Sequence, residues 1–304
     1  MKALVLGGCG FIGSHVVDAL RPRASFVRVL DRSPERFRPP CPGVEYVHAQ
    51  ISDRMALIEA LSGIDTVFHL VSTTFPGTAD HDPVADVQGN LVATLGLLQA
   101  MQSVGVRRLM YLSSGGTVYG VPDEIPVPES HPLRPIASYG IVKTAIEHYI
   151  AMWTRLGILD AIVLRASNPY GPRQGHLGVQ GIISTFLHRL RNELPIEIWG
   201  DGRVVRDYLH VSDLADLCVR AAASGESGTV NAGSGSGHSI LEIVQAIEKA
   251  TGRQVTPVHR TGRAVDVPIS ILDVSRARSL FGWQAVTSLE DGLRDTWSWV
   301  CNQS

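Results

Sequence analysis

The stretch LVLGGCGFIGSH (residues 4–15) decides the fold, because it runs from a short apolar segment through clustered glycines into a helical pattern. An apolar run of this length is typical of a strand buried in a parallel sheet. Glycines at 7, 10 and 13 let the backbone turn tightly and approach a pyrophosphate at the N-terminus of the following helix. A glycine triplet alone is a weak signal, but a strand before it and a helix after it are typical of a dinucleotide-binding turn.

The alternation of strand and helix continues through the first half of the chain. Strands are predicted at 2–7, 25–30, 44–48, 65–71, 107–112 and 159–164. Helices are predicted at 11–20, 53–61, 83–104 and 138–156. Strands that alternate with helices indicate right-handed βαβ units, so we predict an α/β fold with a doubly wound parallel sheet of the Rossmann type.

The second half has a different texture. Pro, Gly and aromatic residues crowd 168–178, 195–207 and 231–238, while helices are predicted at 181–191, 211–223, 239–251 and 288–300. This pattern predicts a smaller C-terminal α/β lobe packed on the carboxyl edge of the sheet. We therefore expect residues 1–167, with about 207–232, to form the nucleotide-binding domain, and residues 168–206 with 233–304 to form the second lobe.

Composition narrows the class of protein. The net charge is −2 and like charges form no block, so nothing in the charge balance indicates nucleic acid or an anionic membrane surface. No segment approaches 18 consecutive apolar residues, and the first apolar run is too short for a signal peptide. The four cysteines (Cys9, Cys41, Cys218 and Cys301) form no C-x-x-C pair. We expect reduced thiols in a cytoplasmic protein, with neither a disulfide framework nor a metal site.

Asp31 lies 18 residues past Gly13, at the end of the second predicted strand. A carboxylate there can accept both hydroxyls of an adenosine ribose and would repel a 2′-phosphate, which favours NAD over NADP. Arg32 could instead hold that phosphate, although a solvated loop charge is the preferred interpretation. His69, inside the fourth strand, is interpreted as a core histidine. The expected NAD contacts are Gly7, Gly10, Phe11, Ile12, Gly13, Asp31, Arg32, Gln50, Ile51, Leu70, Tyr139 and Lys143.

Tyr139 and Lys143 are four residues apart on a predicted helix and therefore share one face. A cation beside a phenol stabilises the phenolate and lowers its pKa. Tyr139 could then remove a proton from a sugar hydroxyl near neutral pH. The Y-x-x-x-K pair alone is a common pattern, but it gains weight from the glycine turn and from the serine-rich strand end that precede it.

Taken together, the motifs resemble those of the extended short-chain dehydrogenases/reductases, in particular nucleotide-sugar epimerases of the UDP-glucose 4-epimerase type. The resemblance covers nearly the whole chain through GGCGFIGSH (7–15), GNLVATLGLLQA (89–100), SSGGTVYG (113–120), YGIVK (139–143), RASNPYGPR (165–173), VVRDYLHVSDLAD (204–216) and RAVDVP (263–268). It implies that NAD binds the Rossmann lobe and a UDP-sugar the C-terminal lobe. It also implies that Asn168 and Arg206 contact the diphosphate, that Arg263 and Asp266 hold the nucleotide end, and that helices 83–104 and 138–156 form a homodimer contact.

The segment before V-Y-G separates the reactions of related enzymes. In this family, nucleotide-sugar 4,6-dehydratases typically carry acidic residues there, because elimination of water needs an acid and a base besides the tyrosine. This chain has Gly115, Gly116 and Thr117, none of which carries a proton at neutral pH. Only oxidation at one carbon followed by reduction remains, which predicts C4 epimerisation through a transient 4-keto sugar.

Two positions bear on the substrate-side contacts. The catalytic hydroxyl of the family usually lies four residues before Tyr119, where this chain has Gly115, so we expect Ser114 to supply it, with Thr117 as the alternative. Ser270 occupies a position that lines the C2 side of the sugar in 4-epimerases, and its small side chain predicts that UDP-GlcNAc and UDP-GalNAc are accepted besides UDP-Glc and UDP-Gal.

Three alternatives stay open at this point. A UDP-glucuronate 4-epimerase would need a cation for the sugar carboxylate, and Arg173 is the candidate. A net-redox reductase or dehydrogenase would release its cofactor. A nonenzymatic NAD-binding regulator is the third alternative, and the intact set of Ser114, Tyr139 and Lys143 argues against it.

Overall fold

The computed structural model describes residues 1–75, 77–175, 181–261 and 267–303. Its strands are β1 (Lys2–Leu6), β2 (Phe26–Asp31), β3 (Val44–His48), β4 (Thr66–His69), β5 (Arg108–Ser114), β6 (Asp160–Ala166), β7 (Asn168–Tyr170), β8 (Ile196–Trp199), β9 (Val205–His210), β10 (Gly228–Ala232), β11 (Gly237–Ser239), β12 (Pro257–Arg260) and β13 (Ile269–Ser270). Its α-helices are α1 (Phe11–Leu20), α2 (Arg54–Leu61), α3 (Pro83–Asp86), α4 (Ala93–Val104), α5 (Ser138–Arg155), α6 (Ile182–Arg191), α7 (Val211–Ala223), α8 (Ile240–Thr251), α9 (Ser275–Phe281) and α10 (Leu289–Cys301).

Seven parallel strands form the main sheet, in the order β10-β6-β5-β4-β1-β2-β3. The strand order reverses between β1 and β4, which lie side by side with Leu6 opposite His69. In open parallel sheets a ligand binds beyond the carboxyl ends of the strands at such a reversal. The predicted Rossmann fold is confirmed, and its binding edge is the end of β1 where the glycine turn begins.

Helices cover both faces of this sheet because its central strands are apolar on both sides. Ala3 and Val5 of β1 belong to the cluster packed under α1 and α7, whereas Leu4 and Leu6 belong to the cluster packed under α2, α4 and α5. Residues 3–6 are all fully buried. A strand buried on both faces explains why its sequence is a continuous apolar run rather than an alternating one.

The helix predicted over 83–104 contains an irregularity that its sequence pattern does not show. It consists of α3, a π-helical stretch over Val87–Val92, and α4. Gly89 in this stretch lies against the loop after β4, since a Cβ there would be 2.5 Å from Thr73 Oγ1. Asn90 fixes the same loop, because its Oδ1 accepts the Thr73 backbone N–H at 2.8 Å. The π-helical turn therefore brings a helix into contact with the carboxyl end of β4.

A smaller C-terminal part packs around its own apolar cluster, built from α6, α8, α10 and short strands. One small sheet has the order β11-β9-β13 with β7 beside β9, and a second pairs β12 with β8. Ala277 and Trp283 lie within the range predicted for the second lobe, yet they pack in the core under the main sheet. The chain thus returns to the first lobe after β13.

Two further observations concern the cysteines and the possibility of a membrane-spanning helix. All four cysteines are free thiols, of which Cys301 is exposed. Over the described ranges, no helix combines the length and apolar character that crossing a membrane requires.

Candidate active site

The glycine turn after β1 is held by backbone contacts that leave no room for side chains. Gly7 has a φ of +82°, and its N–H donates to the Leu30 carbonyl of β2 at 2.9 Å. A Cβ on Gly13 would lie 2.0 Å from the Gly7 carbonyl oxygen, so only glycine fits there. Gly10 precedes α1, whose N-terminus has no side-chain cap and no acidic residue in its first turn. An uncapped helix N-terminus with glycines around it suits a pyrophosphate.

Asp31 connects this turn to the end of β2. Its Oδ2 accepts the Cys9 N–H at 3.0 Å and its Oδ1 accepts the Ser33 N–H at 2.9 Å. Each carboxylate oxygen keeps a further lone pair for a ribose hydroxyl. Arg32 beside it is exposed, in agreement with a solvated loop charge.

The other residues expected to contact NAD lie at the same edge of the sheet. Gln50 is exposed and Ile51 is buried after β3, while Phe11 and Ile12 are half-buried in the first turn of α1. The Leu70 N–H donates to the Leu6 carbonyl at 3.1 Å, which holds the end of β4 beside the glycine turn. The arrangement as a whole fits a dinucleotide.

Tyr139 and Lys143 lie on the first two turns of α5 and approach the carboxyl end of β5. The Lys143 Nζ donates to the Leu112 carbonyl at 2.9 Å and lies 5.7 Å from the centroid of the Tyr139 ring. Gly140 lets the helix come this close, because a Cβ there would be 2.6 Å from the Thr117 carbonyl oxygen. The predicted pair therefore shares one face and meets the serine-rich strand end.

The acid–base properties of the pair differ from those predicted. Burial raises the pKa of Tyr139 to about 12; a hydrogen bond with the Ser72 side chain lowers this pKa and the Asp86 charge raises it. The prediction of a lowered Tyr139 pKa is therefore wrong for the protein on its own. Burial lowers the pKa of Lys143 to about 8, against the opposing charges of Glu147 and Asp86. For Tyr139, desolvation, which sequence spacing does not report, outweighs the hydrogen bond with Ser72.

The strand end offers two candidate hydroxyls. Ser114 is half-buried at the end of β5, and Thr117 Oγ1 is buried without a hydrogen-bond partner among the described residues. A Cβ on Gly115 would lie 2.6 Å from Leu272 Cδ1 and 3.0 Å from the Arg165 carbonyl oxygen, so a side chain there would require these neighbours to shift. Ser113 is different, since its hydroxyl donates to the buried Glu147 carboxylate. The structure thus keeps both Ser114 and Thr117 as candidates.

Asn168, Arg206 and Ser270 come together around β9. The Asn168 side chain donates to the Asp207 carbonyl at 3.0 Å. The Arg206 guanidinium donates to the Val205 and Val267 carbonyls at 2.9 and 2.6 Å. Ser270 is buried and pairs with Arg206 in register between β13 and β9. The structure thus brings these three residues together at β9, and their expected contacts with the UDP-sugar stay a prediction.

Asp207 holds the region around β9 in place. Its carboxylate accepts the backbone N–H groups of Ser234, Gly235 and Leu272 at 2.8, 3.2 and 3.4 Å. The Asp207 carboxylate, although adjacent to Arg206 in the chain, is therefore hydrogen-bonded to backbone N–H groups.

Three predicted residues need separate treatment. Arg263 and Asp266 lie outside the described residues. Arg173, the candidate for a sugar carboxylate, donates to Asp18 of α1 at 2.7 Å. Arg38 donates to the other oxygen of the same carboxylate. The guanidinium of Arg173 thus forms an ion pair that connects its loop to α1.

His69 is a core residue, as predicted. Its Nε2 lies 2.9 Å from Thr94 Oγ1, and burial lowers its pKa to about 3. Several residues that shape the site were not predicted from the sequence. Ser72 bonds to Tyr139, and the buried Asp86 accepts from the Thr74 and Ser138 hydroxyls at 2.7 Å each. Ser138 precedes Tyr139 directly, and this adjacency is the one signal that the sequence offered.

Comparisons with known proteins agree with this geometry over the whole chain. A family model described as the NAD dependent epimerase/dehydratase family matches residues 3–233. The chain is similar to the putative UDP-glucose 4-epimerase of Methanocaldococcus jannaschii, with 34% identity over 305 residues covering 99% of each chain. It is also similar to the solved UDP-glucose 4-epimerase of Thermotoga maritima with UDP-glucose, with a TM-score of 0.93 and 33% identity over 98% of each chain. The UDP-glucose 4-epimerase of Thermus thermophilus in complex with NAD gives a TM-score of 0.93 and 32% identity over 100% of each chain.

Proposed function

This chain belongs to the NAD dependent epimerase/dehydratase family, and from that premise we propose that it is an NAD-dependent epimerase acting at C4 of a UDP-hexose. One observation carries the choice of reaction. The Tyr139–Lys143 pair meets a strand end at which neither residue 115 nor residue 116 carries an acidic side chain, since both are glycine. The site therefore has a proton acceptor for one sugar hydroxyl but lacks, at these positions, the second acid–base group that eliminating water requires.

The residues of the chain divide the work as follows. Bound NAD supplies a reversible hydride acceptor. Tyr139, in its phenolate form, accepts the proton of the sugar 4-hydroxyl and later returns it. Lys143 keeps its charge beside the phenol and stabilises the negative charge that develops there. Ser114 or Thr117 hydrogen-bonds the 4-oxygen, which positions the hydroxyl for proton transfer to Tyr139.

The two parts of the chain would hold the two ends of the reaction complex. In this proposal residues 1–167 with about 207–232 bind NAD, and residues 168–206 with 233–304 bind the UDP-sugar. Asn168 and Arg206 contact the diphosphate, for which a guanidinium has a suitable fork of donors. Ser270, which is small and buried beside Arg206, supports acceptance of an N-acetyl group at C2.

A homodimer is part of the proposal. Both helical segments expected at a dimer contact carry exposed apolar side chains: Val84, Val87, Val92, Ile141, Tyr149 and Met152. Burying such a surface against a second copy would remove apolar area from water on both subunits.

Proton NMR of the purified protein without added cofactor tests the function. UDP-Glc, UDP-Gal, UDP-GlcNAc, UDP-GalNAc and UDP-GlcA are supplied one at a time. We expect the C4 epimer of at least one to appear, without net reduction of NAD. Tyr139→Phe should lower the rate by roughly 10²–10⁴-fold, since it removes the acid–base group. Tyr149→Phe, an exposed tyrosine on the same helix, is the matched control and should keep the rate.

The other outcomes separate the alternatives. Turnover of UDP-GlcA alone would make the protein a uronate epimerase, and stoichiometric formation of NADH would make it a net-redox dehydrogenase. Unchanged spectra with all five sugars, even after NAD⁺ is added, would reject UDP-sugar 4-epimerisation. Full activity in Tyr139→Phe would reject the assigned base.

A further inference from the structure

The Lys143 ammonium lies between two tyrosine rings. Its Nζ is 4.8 Å from the centroid of the Tyr111 ring and 5.7 Å from that of the Tyr139 ring. The described hydrogen bond of this ammonium is the one to the Leu112 carbonyl. An aromatic face within about 6 Å attracts a cation through the negative potential above the ring. One ring belongs to the catalytic tyrosine, whereas the other has no role in the reaction proposed above.

Tyr111 is held rigidly from behind. It is fully buried in β5, and its ring lies 5.2 Å from the His69 ring at an interplanar angle of 54°. The His69 Nε2 in turn lies 2.9 Å from Thr94 Oγ1 on α4. Burial lowers the pKa of His69 to about 3, so this ring is neutral at physiological pH and does not repel the ammonium. The contacts with His69 therefore fix the Tyr111 ring so that one of its faces meets the Lys143 ammonium.

We propose that Tyr111 is a positioning residue for Lys143, whose ammonium it holds beside Tyr139 through the face of its ring. The proposal rests on the role given to Lys143 in the proposed function. The phenol oxygen of Tyr111 is not the part that acts, because it is buried without a hydrogen-bond partner among the described residues. The ring alone does the holding, so phenylalanine should replace tyrosine here and an aliphatic residue should not.

Other charges also face Lys143, and they set the background against which the ring acts. Glu147 lies one turn further along α5, and Asp86 approaches from α3; both favour the charged amine. His69 from β4 is neutral, and the two tyrosines complete the surroundings. None of these charges changes when Tyr111 is replaced. A leucine also frees volume for water, and hydration of the ammonium would raise the Lys143 pKa, so a fall in this pKa reports loss of the ring.

The lysine content of the chain makes this pKa directly measurable. The sequence has three lysines, Lys2, Lys143 and Lys249. In protein labelled with ¹³C at lysine Cε and saturated with NAD⁺, an NMR titration follows all three. Lys143→Met identifies the Lys143 signal, and the two surface lysines serve as internal references.

The test compares Tyr111→Phe with Tyr111→Leu. Loss of a desolvated cation–π contact should lower the Lys143 pKa by about one pH unit in Tyr111→Leu, with the basic limb of the kcat profile moving the same way. Tyr111→Phe should leave both within about 0.3 units of wild type. A Lys143 pKa that is the same in all three proteins, even where Tyr111→Leu is less stable, would overturn the proposal. The titration needs no sugar substrate, so its result is independent of whether epimerisation is found.

Discussion

Removing Arg165 should destabilise the protein far more than removing any surface arginine. Its guanidinium donates to both oxygens of Glu147, with the shortest contact at 2.7 Å, and to the Tyr119 hydroxyl at 2.9 Å. It also donates to the Glu129 carbonyl at 3.2 Å. Only 6% of the Arg165 side chain and 5% of the Glu147 side chain are exposed. The pair of Arg165 and Glu147 joins β6 to α5, the helix that carries Tyr139 and Lys143.

The magnitude follows from what Arg165→Met leaves behind. Glu147 would remain buried as an uncompensated carboxylate, bonded only to the Ser113 hydroxyl among its present partners. Removing one partner of a buried pair costs about 3–5 kcal/mol of unfolding free energy. At about 2 °C per kcal/mol for a protein of this size, the thermal midpoint should fall by roughly 6–10 °C. Far-UV circular dichroism during heating measures it.

Two variants make the result interpretable. Arg107 pairs with Asp160 at 3.0 Å on the surface, where the two side chains are 53% and 50% exposed. Arg107→Met should therefore cost about 1 kcal/mol or less. The double variant Arg165→Met/Glu147→Leu removes both charges and should recover most of the loss. If Arg165→Met were no more destabilising than Arg107→Met, or if the double variant were worse than the single one, the uncompensated charge would not be the cause.

Two further predictions follow from the same structure. The folded-state pKa of Lys143 is about 8, against 10.5 for the free side chain, so the free-energy penalty for burying its charge is present below pH 8 and vanishes above pH 10.5. In urea unfolding, Lys143→Met should therefore be about 3 kcal/mol more stable than wild type at pH 7 and nearly equal to it at pH 10.5. An equal gain at both pH values would contradict this account. Met152→Glu, on the proposed dimer face, should shift the protein toward monomer in analytical ultracentrifugation. Met55→Glu also places a charge at an exposed methionine but lies on α2, so it should not. The same oligomeric state in both variants would exclude the proposed face.

Local features of the first lobe were predictable because the residues that determine them are adjacent in the chain. The glycine turn needs only residues 7–13 and the apolar strand before them. Strand β3 begins and ends as predicted, while β4 is shorter than the predicted 65–71. The short strands of the second lobe, such as β7 and β11 with three residues each, pair with β9 over long distances and carry no clear period of their own.

The residues around Tyr139 and Lys143 could not be predicted in the same way. Tyr111 and Lys143 are 32 positions apart, and Glu147 and Arg165 are 18 apart on different elements, so their contacts depend on how α5 lies across the sheet. The spacing of Tyr139 and Lys143 does predict a shared helix face. It does not predict how deeply the pair is buried, and burial decides the direction of the Tyr139 pKa.

The pKa values of Tyr139 and Lys143 are connected with the buried ion pair of Glu147 and Arg165. At neutral pH a phenol with a pKa of about 12 keeps its proton, and an amine with a pKa of about 8 stays charged, so the pair carries one positive charge. That charge favours the phenolate of Tyr139, which is the form that can accept a proton from a sugar hydroxyl. Glu147, one turn away, favours the charged amine, but without a cation of its own its negative charge would also oppose an oxyanion at Tyr139. Because Arg165 pairs with Glu147, the protein can bury a carboxylate beside Lys143 while the surroundings of Tyr139 keep the net positive charge on which the proposed chemistry depends.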